Sequence, residues 1–553
     1  MALVQRRIGL LFATFLVLLA LGGLRAGWLG VVRADDLARA AATQQVAEVE
    51  VPARRGAIED RTGVQLAVSE PAADIAATPY LVRDPVAAAR RLSAPLRIPE
   101  GALVRLLSKR DTGFVYLTRA LPGQRVRAVE RLRLEGIEIV AATRRTYPRG
   151  PLAAQLLGTV GTDGRGLSGL EYEHDRRLRG RDGERQLVKD GVGKPISVRD
   201  ATPAQAGRDL TLSIDAGIQD RVESVLAAVG ERYAPKGATA VVMDPRTSEV
   251  LAMANWPRVD ANDVASAPPY ARQNRAVGFT YEPGSTFKAF TVAAALEEDR
   301  VEPDTAFTLP PTIQVADRVI GESHPRGTET MTTAQIVAQS SNVGTIGIGL
   351  KLGAARFDQW VRRFGFGHPT GVDLPGEEAG IVPARSSYSG SSMGNLPIGQ
   401  GESVTPLQLA TAYSALANDG VLRAPSVVRA VDGRRLALPP GRRVLSRRTA
   451  EQVRAMLVGV VRTGGTGSEA AIRGYTLAGK TGTANKVDPE TGLYSHARYV
   501  ASFVGFAPAR KPQLLVAVLV DEPKGAIYGG EVAAPAFQAI AQFALPYLGI
   551  APD

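Results

Sequence analysis

Glu282-Pro283-Gly284-Ser285-Thr286-Phe287-Lys288 opens a stretch that stays helix-like to Glu298, with Phe287, Phe290, Val292, Ala295 and Leu296 forming one apolar face. The spacing predicts a helix over 285–298 in which the Ser285 hydroxyl and the Lys288 amine, three residues apart, share a side. A serine needs a base to become a nucleophile, and a lysine set among Phe287 and Phe290 loses enough of its basicity to serve. Arginine stays protonated and cannot do this. The choice of residue is therefore informative, because only 10 of the 66 basic residues are lysine and Lys288 alone has a serine three places before it. A helix beginning at Ser285 also leaves free N–H groups there, one arm of an oxyanion hole. On its own the motif is also met by an exposed lysine on an ordinary amphipathic helix.

Two further matches flank that stretch. Lys480, in Ala478-Gly-Lys-Thr-Gly-Thr483, is the one lysine followed by Thr or Ser and then Gly. Small residues between strand formers predict an edge strand against which a substrate backbone can lie, with Lys480 and the hydroxyls of Thr481 and Thr483 receiving a carboxylate. Ser340-Ser341-Asn342, the one Ser-x-Asn, falls at a predicted break between helices over 332–338 and 344–364.

At 553 residues the chain is long enough for two or three domains, and 45% hydrophobic with 22% charged residues is an ordinary globular balance. The absence of cysteine removes thiol nucleophiles, disulfides and Cys-based metal sites. His174, His324, His368 and His496 are scattered without His-Glu-x-x-His, and no Gly-x-Ser-x-Gly surrounds Ser285, so zinc hydrolases and Ser-His-Asp hydrolases lack their signatures. The net charge of +11 comes from arginines spread through the chain without a basic stripe, which argues against nucleic acid. Arg54-Arg55 is read as solvated or phosphate-facing surface, and Asp244-Pro245 as a turn.

Arg6 and Arg7 precede the uncharged run Ile8–Leu24, with Arg25 and Trp28 after it. Its length fits one membrane anchor with a cytoplasmic N-terminus and the remainder outside. A cleaved signal peptide is the alternative, with Ala40-Ala41-Ala42 as its cleavage site. Nucleic acid and ATP are poor ligands in that compartment. Residues 34–205 read as a mixed α/β pedestal: strands at 57–58 and 64–68, a helix over 124–134, a strand at 137–140, then glycine-rich turns. Beyond Ala201–Gly207 come a strand from Leu210, a hairpin of 238–243 with 249–254, a buried strand at 514–520 and a final helix near 535–544.

Ser-x-x-Lys, Ser-x-Asn and Lys-Thr-Gly in that order form the signature of penicillin-binding proteins and serine β-lactamases. The chain resembles a class B penicillin-binding protein, a peptidoglycan D,D-transpeptidase of the FtsI division family. Arg55-Gly-Ala-Ile-Glu-Asp-Arg-Thr-Gly63 with Leu66-Ala-Val-Ser69 is similar to the box that opens the family's pedestal, and Gly169-Leu-Glu171 with Leu178-Arg-Gly180 to the box that closes it. Gly399-Gln-Gly-Glu-Ser-Val-Thr-Pro406, Tyr528-Gly-Gly530 and Ala533–Phe537 extend the likeness.

The resemblance implies an α+β chain: an anchor over 1–33, a dimerisation-type pedestal over 34–205, and a transpeptidase domain over 206–553 with an antiparallel sheet covered by helices. It implies that Ser285 is the nucleophile, Lys288 its base, Ser340 and Lys480 a proton relay, and Asn342 a holder of the substrate amide. Thr481, Gly482 and Thr483 would bind the terminal carboxylate, and the N–H groups of Ser285 and Thr483 would form the oxyanion hole. No metal or cofactor is implied. The implied partners are D-Ala-D-Ala stem peptides, β-lactams as inhibitors, an FtsW-type membrane glycosyltransferase and other division proteins. Elongation-type transpeptidation, a β-lactamase or carboxypeptidase, and a division scaffold or β-lactam sensor are the competing expectations.

Overall fold

The computed structural model describes residues 2–35, 46–189, 195–488 and 490–553. Ala40–Ala42 lie outside the described residues. Arg6–Val32 is the one helix among the described residues long and apolar enough to cross a membrane, with a mean hydropathy of 2.1. Its 27 residues reach roughly 40 Å at 1.5 Å per residue, more than the roughly 30 Å of a bilayer core. The helix runs through Arg25 to Gly27, and Trp28–Val32 continue it as a wider turn.

The chain falls into two compact units whose boundaries are not collinear with the sequence. One takes residues 1–54, 71–143 and 180–207. In it, helices Pro85–Leu96 and Glu100–Leu107 contribute Leu92, Leu96, Leu103 and Leu107 to a core shared with Ile75, Leu117 and Leu121 from strands. Asp84 caps the first of these helices by accepting from the N–H groups of Val86 and Ala87, and Pro85 supplies the pre-set first helical residue. The predicted helix at 124 and strand at 137 are present as Gly123–Glu130 and Ile137–Thr146.

The other unit takes residues 55–70, 144–179 and 208–553. Its framework is a five-stranded antiparallel sheet of β1 (Gly237–Met243), β2 (Val250–Trp256), β3 (Ala478–Val487), β4 (Tyr494–Ala507) and β5 (Leu514–Asp521), in the order β2-β1-β5-β4-β3. Every residue of β5 is buried, and its alternation explains why: Leu515, Ala517 and Leu519 enter one core, while Leu514, Val516, Val518 and Val520 enter another. The second core lies under α1 (Ala216–Tyr233) and the C-terminal α4 (Gly529–Tyr547), through Val222, Leu226, Phe537 and Ile540. The first contains α2 (Lys288–Glu297), through Phe290 and Val292, and α3 (Asn342–Leu352), through Val343 and Ile348. A sheet covered on both faces accounts for unbroken apolar runs where a one-sided sheet would alternate.

Three details depart from the sequence expectations. The helix expected over 285–298 starts as a 3-10 turn at Gly284–Phe287, and regular α-helix begins only at Lys288. The helix expected over 344–364 is two, because Gly353 at φ +81° ends α3 and a new helix starts at Ala354. The last helix begins at Gly529, six residues before Pro535. A proline there cannot donate to the Glu531 carbonyl, and the Tyr233 hydroxyl donates to that carbonyl instead, at 3.1 Å.

Arg55 overturns the surface reading of the Arg54-Arg55 pair. Arg54 is exposed, but Arg55 is 5% exposed and reaches Glu171 at 2.7 Å and Asp175 at 2.6 Å. Arg145 meets the other oxygen of Glu171 at 2.6 Å. Glu171 is fully buried and held by both arginines, so removal of either leaves one of its oxygens without its ion-pair partner, a loss of order 3–5 kcal/mol.

Candidate active site

The turn that carries Ser285 is held from several sides. Gly284 has φ +54°, and a Cβ there would lie 3.1 Å from the Thr483 carbonyl oxygen. Its N–H donates to the Gly399 carbonyl at 2.9 Å. The Thr286 hydroxyl donates to the Pro283 carbonyl at 2.7 Å, and the Tyr413 hydroxyl donates to the Thr286 carbonyl at 2.6 Å. Phe287 and Phe290 anchor the turn in an aromatic cluster with Phe366 and Tyr413 at ring distances of 5.1–5.6 Å. Ser285 is half-buried. Among the described residues nothing hydrogen-bonds its hydroxyl, so the oxygen is free to meet a ligand.

Lys288 and Lys480 are both fully buried and both reach Ser340. The Lys288 Nζ donates to the Ser340 carbonyl at 2.6 Å and the Asn342 Oδ1 at 2.6 Å, and lies 3.3 Å from Ser340 Oγ. Lys480 Nζ lies 2.8 Å from the same Oγ and 3.2 Å from the Thr481 carbonyl. Burial pulls Lys288 from 10.5 down to about 7; the Glu322 charge opposes the fall and the Arg326 charge adds to it. Burial, and then the Lys288 charge, push Lys480 well below the usual lysine range. Two ammonium groups against one hydroxyl repel each other, so near neutral pH the pair favours a single charge. Ser340 stands at φ +58°, a left-handed backbone that a side chain adopts only when its surroundings hold it there.

Glu322 organises the Ser340–Asn342 corner. Its carboxylate accepts from the Ser341 hydroxyl at 2.6 Å, the Asn342 N–H at 2.7 Å and the Val343 N–H at 3.3 Å, and pairs with Arg326 at 2.6 Å. Burial raises its pKa, but hydrogen bonds from Ser341, Arg326 and Asn342 outweigh that and hold it below the usual range. It sits at the start of α3, where negative charge is favoured. Asn342 Nδ2 donates to the Gly321 carbonyl at 3.0 Å, which leaves Oδ1 to Lys288. No motif in the sequence marks Glu322; its one local signal is Arg326, four residues on. Glu322→Gln is expected to destabilise the fold by about 1–3 kcal/mol and to slow β-lactam acylation about tenfold by releasing Asn342. Thermal unfolding and acylation kinetics check both effects.

The Lys480 segment lies on β3, the edge strand that the sequence predicts. Gly482 packs against the nucleophile turn, and Lys480 Nζ also comes within 3.5 Å of Thr481 Oγ1. A Cβ on Gly482 would fall 2.4 Å from Ser502 Oγ and 3.1 Å from the Pro283 carbonyl, so only glycine lets strand and turn approach this closely. Thr481 Oγ1 is 2.7 Å from Thr466 Oγ1, and Thr483 Oγ1 accepts from the Gly529 N–H at 3.1 Å. Lys288, Ser340, Asn342 and Lys480 thus form one hydrogen-bonded cluster, with Ser285 one turn before Lys288 but not bonded to it. The half-buried Glu282 and the buried Glu402 also border the turn, and sequence reasoning gave Glu402 no role.

An unbonded serine at the head of a buried helix, beside two buried amines that meet on a second serine, is the arrangement of an active-serine acyl-transfer enzyme. Residues 238–542 match the penicillin binding protein transpeptidase domain, and residues 50–212 the penicillin-binding protein dimerisation domain. The chain belongs to the penicillin-binding protein transpeptidase family. The peptidoglycan D,D-transpeptidase FtsI of Escherichia coli K12 is 35% identical over 97% of this chain and 91% of its own. Stage V sporulation protein D of Bacillus subtilis is 34% identical over 96% and 83%. The crystal structure of penicillin binding protein 3 of Mycobacterium tuberculosis, complexed with aztreonam, is similar with a TM-score of 0.73 and 32% identity, over 91% of this chain and 98% of that one.

Proposed function

We infer that this chain is a membrane-anchored, serine-type peptidoglycan D,D-transpeptidase of class B that crosslinks stem peptides in septal wall synthesis. The observation that carries the catalytic reading is the convergence of two buried lysines on Ser340 beside the unbonded Ser285. In the reaction proposed, Ser285 Oγ bonds to the penultimate D-Ala carbonyl carbon as Lys288, in its neutral form, takes the hydroxyl proton. The N–H groups of Ser285 and Thr483 receive the oxyanion. The C–N bond to the terminal D-Ala breaks, and the leaving nitrogen takes its proton from Ser340, which Lys480 resupplies. An amine from a neighbouring strand then bonds to the acyl carbon and gives its proton through Ser340 to Lys480, while the ester bond to Ser285 Oγ breaks and Lys288 returns the proton to that oxygen. Asn342 orients the substrate amide, and Lys480, Thr481, Gly482 and Thr483 receive the terminal carboxylate. β-Lactams acylate the same serine.

The division into an anchor over 1–33, a pedestal over 34–205 and a catalytic part over 206–553 belongs to this proposal. So do a cytoplasmic N-terminus, favoured by Arg6 and Arg7, and an FtsW-type glycosyltransferase with other division proteins as partners. Intact-protein mass spectrometry of the full chain in detergent, with benzylpenicillin, tests the reaction. One stable adduct is expected. Rapid hydrolysis without an adduct would make the chain a β-lactamase, and neither would leave a scaffold.

A further inference from the structure

Beside the nucleophile turn, residues 281–284 run antiparallel to residues 399–404. The Tyr281 N–H donates to the Val404 carbonyl at 3.0 Å, the Val404 N–H returns to Tyr281 at 2.9 Å, and Gly284 donates to Gly399. A Cβ on Gly399 would come within 2.2 Å of the Gly284 carbonyl oxygen, so the loop presses directly on the turn. Each segment carries a glutamate. Glu282 Oε1 accepts from the Gly401 N–H at 3.1 Å and the Tyr494 hydroxyl at 3.0 Å, while its buried Oε2 has no donor. Glu402 is 3% exposed, and its Oε1 likewise has no donor.

Among the described residues neither Glu282 nor Glu402 forms an ion pair. Tyr494 faces Glu282, with Arg318 beyond it, and Glu402 acts on both Tyr494 and Tyr388. Tyr388 bonds Asp358 at 3.4 Å, with Arg362 behind. The other titratable groups at the turn are the buried hydroxyls of Tyr281 and Tyr413. Burial raises Glu282, and burial followed by the Glu282 charge raises Glu402 well above the carboxylate range. An ionised carboxylate only accepts, so with both groups ionised Glu282 Oε2 and Glu402 Oε1 stay without a donor, whereas a proton on either carboxyl supplies one.

We propose that Glu282 and Glu402 share one proton, and that this carboxyl–carboxylate pair holds the Gly399–Gly401 loop against the nucleophile turn as a positioning device for Ser285. The effect on rate rests on the transpeptidase reading; the shared proton does not. When the proton leaves at alkaline pH, like charges on the two adjoining segments repel, the loop withdraws and acylation falls. The wild-type rate is therefore bell-shaped, rising as Lys288 deprotonates and falling as the pair loses its proton.

The test compares the full chain in detergent with Glu402→Gln and Glu402→Leu. In Glu402→Gln the amide N–H donates to Glu282 without a titrating proton. Acylation by benzylpenicillin near neutral pH is expected to stay within about threefold of wild type, with the acid limb kept and the alkaline limb gone. Glu402→Leu is expected to slow acylation at least about tenfold at all pH values, by stranding Glu282. Infrared difference spectra should show a protonated-carboxyl band near neutral pH in wild type that Glu402→Gln lacks. An alkaline limb identical in wild type and Glu402→Gln overturns the proposal, as does absence of the band, which would mean that water or a cation fills the gap. No adduct in wild type at any pH would instead refute the transpeptidase reading, with the infrared band still reporting on the pair.

Discussion

Ser285→Ala is expected to abolish covalent β-lactam labelling, by more than about 10⁴-fold, and to leave the fold intact. The two halves of that expectation have separate physical grounds. Loss of labelling follows because no other hydroxyl occupies the head of the helix: Thr286 is fully buried, with its hydroxyl committed to the Pro283 carbonyl, and Ser340 is tied to both lysines. Retention of the fold follows because the Ser285 hydroxyl has no hydrogen-bond partner among the described residues, so its removal orphans nothing. A half-buried site of this kind changes stability by within about 0.5 kcal/mol. Mass spectrometry after incubation with benzylpenicillin, with thermal unfolding alongside, reads both. A stoichiometric adduct on the variant would move the nucleophile elsewhere and dismantle the proposed mechanism.

The parts of this site legible in the sequence were those that had to be rare. Lys288 and Lys480 stand out because lysine is scarce in an arginine-rich chain and because a guanidinium cannot give up its proton to act as a base. Short apolar runs located β1, β2 and β5, and the small residues of Ala478–Thr483 located an edge strand. What local pattern could not carry was the connection between distant residues. Glu322 and Asn342 are twenty positions apart and bonded at 2.7 Å, and Glu282 and Glu402 belong to segments that meet only in the fold. Arg55 reads as a surface cation until Glu171 and Asp175 arrive from more than a hundred residues away. The opening of α2 failed for a subtler reason. Periodicity cannot tell a 3-10 turn from the first turn of an α-helix, yet that difference, with Gly284 at φ +54°, sets where the Ser285 oxygen stands relative to Lys288. The Lys288 amine consequently bonds Ser340 and Asn342, not Ser285.

Lys288→Arg is expected to lower the acylation rate constant by about 10²–10⁴-fold while keeping the positive charge. Burial brings Lys288 to about 7, so near neutral pH a substantial fraction is the neutral amine that can accept the Ser285 proton. A guanidinium in its place can still donate to the Ser340 carbonyl and Asn342 Oδ1, but it never becomes a base. The pH dependence separates chemistry from packing. In wild type the rate constant should climb about tenfold per pH unit below neutrality and bend over near 7, ahead of the alkaline fall expected from the Glu282–Glu402 pair, whereas the arginine variant should lack the acid limb. Stability supplies an independent reading with a definite sign. The folded-state value lies below the 10.5 of the unfolded chain, so unfolding takes up a proton between about 7 and 10.5, and this group makes the fold more stable as pH rises through that window. Below about 7 both states carry the proton and the slope vanishes; Lys480, also lowered, adds a slope of the same sign. Thermal unfolding as a function of pH should show that dependence weakened in Lys288→Arg. If the variant unfolds at the wild-type temperature and keeps the wild-type acid limb, Lys288 is not the base, and the proton from Ser285 must leave by Ser340 and Lys480.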